Sequence, residues 1–337
     1  MPLELAVELW DNVLEHHSDD RPTLLVCSLV CQDWLQIARK HLFHTICLED
    51  NVLECFSQLS FDILYHIRRL TVRTCLPRDA LFQTCLPRSL LHAQRLHELS
   101  ITFLDVTTRD LVSTLPFSPQ LRESISLGAE FAFIRLISLR SLAIDGLDLP
   151  RILCSCPRLS TLRLEGIKWK YNYDNNTPFP PELASIKPSR CVEITELTLV
   201  DHTPNISLWL LHGPFKLKLH TLEIEWDEET ADNNDKIIRA CSSLQRLVLR
   251  MSRLSRFKER LPLPIVQMPN LRLFHLKQIP LFDSRLMLSR GNIITMILQA
   301  VMNHPLFDLQ MDVGRRRPGR CFCLSMARCR RRPCASG

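Results

Sequence analysis

The chain has 337 residues, 46% of them hydrophobic and 23% charged, a balance that fits one large or two modest globular domains. Its formal net charge of +6 belongs to one segment, because residues 314–337 hold eight arginines and no carboxylate. The rest of the chain sums to −2, which excludes bulk attraction of the folded body for nucleic acid.

The N-terminal stretch MPLELAVELWDNVLEHH carries carboxylates where a signal peptide places lysine or arginine, and it has no small-residue cleavage site. The expected localisation is therefore cytoplasmic or nuclear. Leu5, Leu9, Val13 and Leu14 share one face of a first helix, with Pro2 just before it, where helices tolerate proline. A polar break, HHSDDRP, separates it from a second apolar run, Thr23 to Ala38, and Leu42-Phe43 closes the module. With Trp10, Trp34 and Phe43 in so short a segment, the module is too small and too apolar to stand alone.

These residues carry a resemblance. The string PLEL…ELWDNVL…LLVCSLVCQDWLQIA…HLF resembles an F-box, whose pattern runs Leu-Pro-x-Glu-Leu and later Leu-x-x-Val-Cys-Arg/Lys-x-Trp. The matching positions are Pro2, Glu4, Leu5, Leu9, Trp10, Val13, Leu24, Leu25, Val30, Cys31 and Trp34; Met1 and Asp33 depart from the pattern. With YHIRRLTVR following, the chain looks like fungal, mushroom-type F-box proteins with degenerate leucine-rich repeats. The resemblance implies a three-helix F-box over residues 1–48 that binds a Skp-family adaptor through Pro2, Leu5, Leu9, Val30 and Trp34. The alternative reading of the same residues is a helical cap over the end of a repeat array.

Beyond residue 48 one phrase recurs, apolar-x-x-apolar-x-apolar. Its copies are Ile67-Leu70-Val72, Leu96-Leu99-Ile101, Leu139-Leu142-Ile144 and Leu159-Leu162-Leu164, then Ile194-Leu197-Leu199, Leu219-Leu222-Ile224, Leu244-Leu247-Leu249 and Leu271-Phe274-Leu276. The steps between them are 29, 43, 20, 35, 25, 25 and 27 residues, and an imperfect copy at Leu121 to Leu127 divides the longest. The last two apolar positions lie two apart, so on a strand they face the same side. One copy cannot bury that side alone, and stacked copies can. The segments TTRDLVSTLPFSP, LPRILCSCP and DEETADNNDKIIRACSS have helix starts and stops between the copies. The expected fold class is α/β: the F-box, then an irregular leucine-rich-repeat solenoid over 49–313 with parallel strands on its concave face and helices on its convex face. An ordinary α/β domain with leucine-rich strands is the alternative. The Asn- and Pro-rich insertion from Lys170 to Arg190 is expected to be an exposed loop.

The longest apolar run, Ile293 to Met302, is bounded by Asn292 and by Asn303-His304-Pro305, short of the roughly 20 residues of a membrane span. The final segment, 314–337, reads as a disordered basic tail. Its cysteines, Cys321, Cys323, Cys329 and Cys334, lack the paired knuckles of zinc sites. Most other cysteines stand singly in apolar stretches, as small hydrophobes do.

No nucleotide-binding glycine loop, Gly-x-Ser-x-Gly elbow or His-Glu-x-x-His motif occurs. No catalytic residue, metal or cofactor is therefore expected. The resemblance implies a non-catalytic substrate-recognition subunit of an SCF-type ubiquitin ligase, joined to a cullin through the adaptor and presenting a protein target on the repeats. A leucine-rich scaffold outside any ligase is the alternative, and a nucleic-acid binder using the arginine tail a third. Strand alternation puts Thr161, Arg163, Glu165, Glu223, Glu225, Val248, Arg250, His275 and Lys277 on the face opposite the leucines. The expectation is that this face turns from acidic to basic over the three repeats from Glu223 to Lys277 and docks the target; a merely solvated sheet surface is the alternative.

Overall fold

The computed structural model describes residues 7–49, 56, 58–74, 90, 93–103, 114–115, 131, 133–171, 181–226, 230–251, 268–280, 308–314 and 322–326. The chain is mixed α/β. Its described helices are α1 (Val7–Glu15), α2 (Arg21–Cys27), α3 (Gln32–Leu42), α4 (Phe61–His66), α5 (Asp148–Cys154), α6 (Pro181–Ser185), α7 (Pro204–His212) and α8 (Ala231–Ala240). The strands begin with β1 (Thr45–Leu48), β2 (Arg69–Thr74), β3 (Glu98–Phe103), β4 (Thr114–Leu115), β5 (Leu136–Arg140), β6 (Ala143–Asp145) and β7 (Thr161–Glu165). They continue with β8 (Lys168–Lys170), β9 (Val192–Val200), β10 (Phe215–Glu225), β11 (Arg246–Arg250), β12 (Leu273–Pro280), β13 (Asp308–Gly314) and β14 (Phe322–Met326). The chain divides into two compact units, one of Met1–Ser160 with Gly166–Val192, the other of Thr161–Glu165 with Glu193–Gly337.

In the first unit the recurring phrase becomes a parallel sheet. β1 pairs with β2, β2 with β3 and β3 with β5, each in parallel. The triplets Ile67-Leu70-Val72 and Leu96-Leu99-Ile101 are buried, as strand alternation requires once one face becomes core. The register holds Leu70 beside Leu99 and Val72 beside Ile101. A further copy starts inside the helical module, because Ile46 and Leu48 of β1 lie beside Leu70 and Val72, and Phe43 takes the leading position. Backbone bonds repeat with the phrase: Arg68 N donates to His44 O, His97 N to Arg68 O, Arg135 N to His97 O and Ser160 N to Arg135 O, at 2.8–3.0 Å.

The expected copy Leu139-Leu142-Ile144 is one the structure corrects. Beside β3 the main sheet uses Ile134, Ile137 and Leu139, with Ile137 next to Leu99 and Leu139 next to Ile101. Counting from Ile134 makes the step to Leu159 25 residues, the spacing of the later copies. Leu142 and Ile144 serve a second sheet, in which β6 pairs in parallel with β4 and β8. Ser141, with φ of 55°, makes the turn between the two, and Gly166, with φ of 66°, follows β7 in the same left-handed region. Glycine suits that geometry because a side chain there is strained. Of the segment TTRDLVSTLPFSP, expected to hold a helix, Thr114–Leu115 is strand β4 and the rest lies outside the described residues.

In the second unit β7 pairs with β9, β10 with β11, β11 with β12 and β12 with β13, all in parallel. Two rows of side chains cross this sheet: Leu222, Leu247, Phe274 and Leu309, then Ile224, Leu249, Leu276 and Met311. Fully burying a side chain of this size contributes about 1.5–3 kcal/mol, so these rows are the main cohesive force of the unit. The segment ending in KIIRACSS forms α8, as its pattern predicts, with Ile237 and Ile238 buried. Helix α7 is buried from Ile206 to Leu210, Trp209 meeting the ring of Phe215 edge-on at 5.2 Å.

A buried polar network ties these helices to the sheet. Ser207 of α7 donates to Asn234 Oδ1 of α8 at 3.2 Å, and His202 Nε2 lies 2.6 Å from the Ser207 hydroxyl. Asn234 Nδ2 donates to Glu225 O and to Thr230 Oγ1 at 2.9 and 3.0 Å. Such groups are tolerated inside because they satisfy one another.

Three other expectations need amendment. Residues 45–48, placed in the helical module, are already strand β1. Part of the tail expected to be disordered, Phe322–Met326, is strand β14, antiparallel to β13. Within the Lys170 to Arg190 insertion, Pro181–Ser185 is helix α6 with Leu183 buried, while 172–180 lie outside the described residues, as do Ile293 to Met302 and Leu121 to Leu127. Among the described residues no helix is long and apolar enough to cross a membrane.

Candidate functional site

The three N-terminal helices form a small core of Leu14, Leu24, Ile37, Ala38 and Leu42, with Trp10, Cys27, Trp34 and Phe43 packed against it. Asp20 starts α2: its carboxylate accepts from Thr23 N at 3.2 Å and from the Thr23 hydroxyl at 2.7 Å, an N-cap next to Pro22 in the first turn. Helix α1 is held to α3 by Asp11, which accepts from Lys40 Nζ and pairs with His41 Nε2 at 2.8 Å. Burial opposes ionisation of Asp11, but the hydrogen bonds from Lys40 and His41 outweigh it and hold the carboxyl below its ordinary value.

What this core leaves outside is the candidate site. A helix of seven residues can turn only one stripe inward, and α2 uses it for Leu24. Leu25 and Val26 are left 55% and 66% exposed. Past the end of α2, Leu29 N donates to Val26 O and Val30 N to Cys27 O, closing tight turns that hold Leu29 and Val30 at 84% and 61% exposure. On α1, Leu9 and Val13 stand one turn apart, 50% and 46% exposed, while Trp10 and Leu14 take the inward stripe. Isolated surface leucines are ordinary; six large apolar side chains exposed within residues 9–30 make a candidate interaction surface.

Two of the five sequence-predicted adaptor residues, Leu9 and Val30, are on this surface. Trp34 is half-buried against Trp10, ring centroids 4.6 Å apart, so it supports the helices from within. Pro2 and Leu5 lie outside the described residues. Sequence reasoning passed over Val13, Leu25, Val26 and Leu29 as contact residues. The excess of apolar residues in LLVCSLVC over what one helical stripe can bury was the signal for them.

The nine residues expected on the second sheet face differ from one another in burial and pairing. Glu223 accepts from Arg250 Nε at 2.5 Å and from Lys277 Nζ at 3.1 Å, so acid and base neutralise each other across neighbouring strands. Desolvation opposes the charge on Glu223, and the two hydrogen bonds overcome it, leaving its pKa lowered. Glu225 is buried and accepts from Asp201 N at 2.6 Å. His275 is buried and pairs with Asp312 at 2.8 Å, and Val248 is buried beside it. Thr161 and Glu165 are half-buried, and Arg163 is exposed. Acid on β10 thus meets base on β11 and β12 at Glu223, Arg250 and Lys277, and His275 of β12 meets Asp312 of β13.

Of the cysteines, Cys154 and Cys241 are buried as expected, while Cys31 and Cys47 are exposed. Burial pushes the Cys154 thiol up to about 12 and Cys241 to about 11, which makes both inert at neutral pH. Among the described residues no group of His, Cys, Asp and Glu could hold a metal ion.

Comparison with protein-family models gives no match, and neither does comparison with curated proteins.

Proposed function

We propose that the chain is a substrate receptor of an SCF-type ubiquitin ligase, an F-box protein whose N-terminal helices bind a Skp-family adaptor and whose parallel strands are degenerate leucine-rich repeats presenting a protein target. The observation that carries this reading is the apolar surface of Leu9, Val13, Leu25, Val26, Leu29 and Val30, left uncovered in the segment that resembles an F-box. A cap that merely ends a repeat array needs a polar outer face, and this module leaves six large apolar side chains exposed on its own. In this reading the chain performs no bond chemistry. It acts by proximity, raising the effective concentration of a target lysine near a conjugating enzyme recruited through the cullin.

The test is affinity purification of the full chain with the proteasome and conjugation blocked, read by mass spectrometry. A Skp-family adaptor and a cullin are expected among the proteins recovered. Recovery of other partners with neither of these would leave the scaffold reading in its place.

A further inference from the structure

In the first unit the residue that precedes each strand of the main sheet is held in a backbone ladder, and these residues are His44, Arg68, His97 and Arg135, followed by Ser160. Neighbouring rungs of a sheet are about 4.8 Å apart, so four cationic or titratable side chains follow one another along a single edge. Two positions earlier in the phrase are His66, Arg95, Phe133 and Arg158. The Arg95 guanidinium lies over the Tyr65 ring at 4.2 Å and that of Arg158 over Phe133 at 5.4 Å. Arg95, Arg135 and Arg158 are exposed, and Arg68 is half-exposed.

Two described carboxylates act on the histidines of this edge, Asp62 on His66 and Glu98 on His44 and His97. Among the described residues Glu98 is paired with Arg69 at 3.2 Å, and Arg68, Arg95, Arg135 and Arg158 form no salt bridge. Several cations elsewhere are matched: Lys40 to Asp11, Arg250 and Lys277 to Glu223, Lys218 to Glu193, Arg239 to Asp235. The edge brings four arginines without a carboxylate partner among the described residues to positions at or beside neighbouring rungs of one backbone ladder. His44, His66 and His97 report the same field: each has its pKa lowered, first by desolvation and then by neighbouring arginines.

We propose that this edge, with Arg68, Arg95, Arg135 and Arg158 at its centre, is a docking surface for an acidic, extended segment of a protein partner. Guanidinium groups match carboxylates through paired donors, and a guanidinium resting on a ring is pre-organised for that contact. The spacing also fits. Arg68 and Arg135 are two rungs apart, roughly 10 Å, close to one three-residue turn of an extended polyproline II segment at about 3.1 Å per residue, in which positions i and i+3 share a face. A protein segment is favoured over single-stranded nucleic acid because the Tyr65 and Phe133 rings are already covered by Arg95 and Arg158, whereas base stacking needs open aromatic faces. The proposal gives the target of the preceding section a charge, but it does not depend on the adaptor, so the two can fail separately.

The experiment uses the full chain and a fluorescent peptide of Glu-Gly-Ser repeats, with glutamates three residues apart, read by anisotropy. A Gln-Gly-Ser peptide is the neutral control and a 12-nucleotide oligothymidine the competing class. The wild type is expected to bind the acidic peptide and not the neutral one, and Arg68→Glu with Arg135→Glu to weaken binding at least about tenfold. The milder pair Arg68→Gln with Arg135→Gln serves if the reversal lowers the thermal midpoint, and an intermediate loss is expected from it. Both variants retain the arginine tail, so attraction by the tail cancels in the comparison. Binding that is absent in the wild type, or unchanged in both variants, overturns the proposal. Oligothymidine bound more tightly than the peptide, and lost on reversal, overturns it as well.

Discussion

In α2, Leu24 is fully buried while its neighbours Leu25 and Val26 stand in solvent; in β11, the consecutive residues Leu247, Val248 and Leu249 are all buried. Both stretches are apolar runs of similar length, and their fates differ because their surroundings do. A strand inside a parallel sheet can be covered on both faces, whereas a short helix on a three-helix core can hide only one stripe. Charges show the converse. In the second unit Glu223 is satisfied by Arg250 and Lys277, so those residues are explained by the fold. Leu25 and Val26 of α2 are explained by nothing within the described residues, and an unexplained apolar group is the better pointer to a second molecule.

That contrast can be broken most strongly in the core. Phe274→Ala, at a fully buried position in the middle of a leucine row, is expected to destabilise by about 3–5 kcal/mol, and Leu24→Ala by about 2–5 kcal/mol. Thermal or urea unfolding followed by circular dichroism checks both. Asn234→Ala comes next, at about 1–3 kcal/mol, because it removes two donors and strands the partners they satisfied.

The glutamate at the centre of the charge cluster gives a smaller, pH-dependent effect. The folded-state pKa of Glu223 is depressed from the ordinary 4.5, so its contribution is fully present above 4.5 and is lost as pH falls through the lower folded value. Wild type is expected to lose thermal midpoint in that acid window faster than Glu223→Gln, and parallel curves for the two would refute the assignment. Reversing Arg250 and Lys277 to Glu should accordingly destabilise the fold, since each loses its partner in Glu223.

How far the sequence could be read depended on whether a pattern had one solution. The triplets at Ile67, Leu96, Ile194, Leu219, Leu244 and Leu271 did, and all became buried positions aligned in register. The run FIRLISLRSLAI had two, because Leu139 ends the triplet that starts at Ile134 and begins the one that continues to Ile144. Only pairing with β3 chooses between them. The copy at Phe43-Ile46-Leu48 was hidden because Phe43 also packs on the helical core. On the candidate site, Leu9 and Val30 were legible from the resemblance. The other exposed leucines required knowing that α2 ends at Cys27, and the charge pairs required cross-strand register, which spacing alone does not provide.

The smallest effect on stability should accompany the largest on binding. Leu29→Ser with Val30→Ser alters two exposed side chains, and its expected cost is within about 0.5 kcal/mol. Isothermal titration of a purified Skp-family adaptor into the full chain, wild type against this double variant, measures the central claim directly. The account predicts saturable binding by the wild type, affinity at least about tenfold weaker in the variant, and the same thermal midpoint in both. Equal affinity in two equally folded proteins would contradict it.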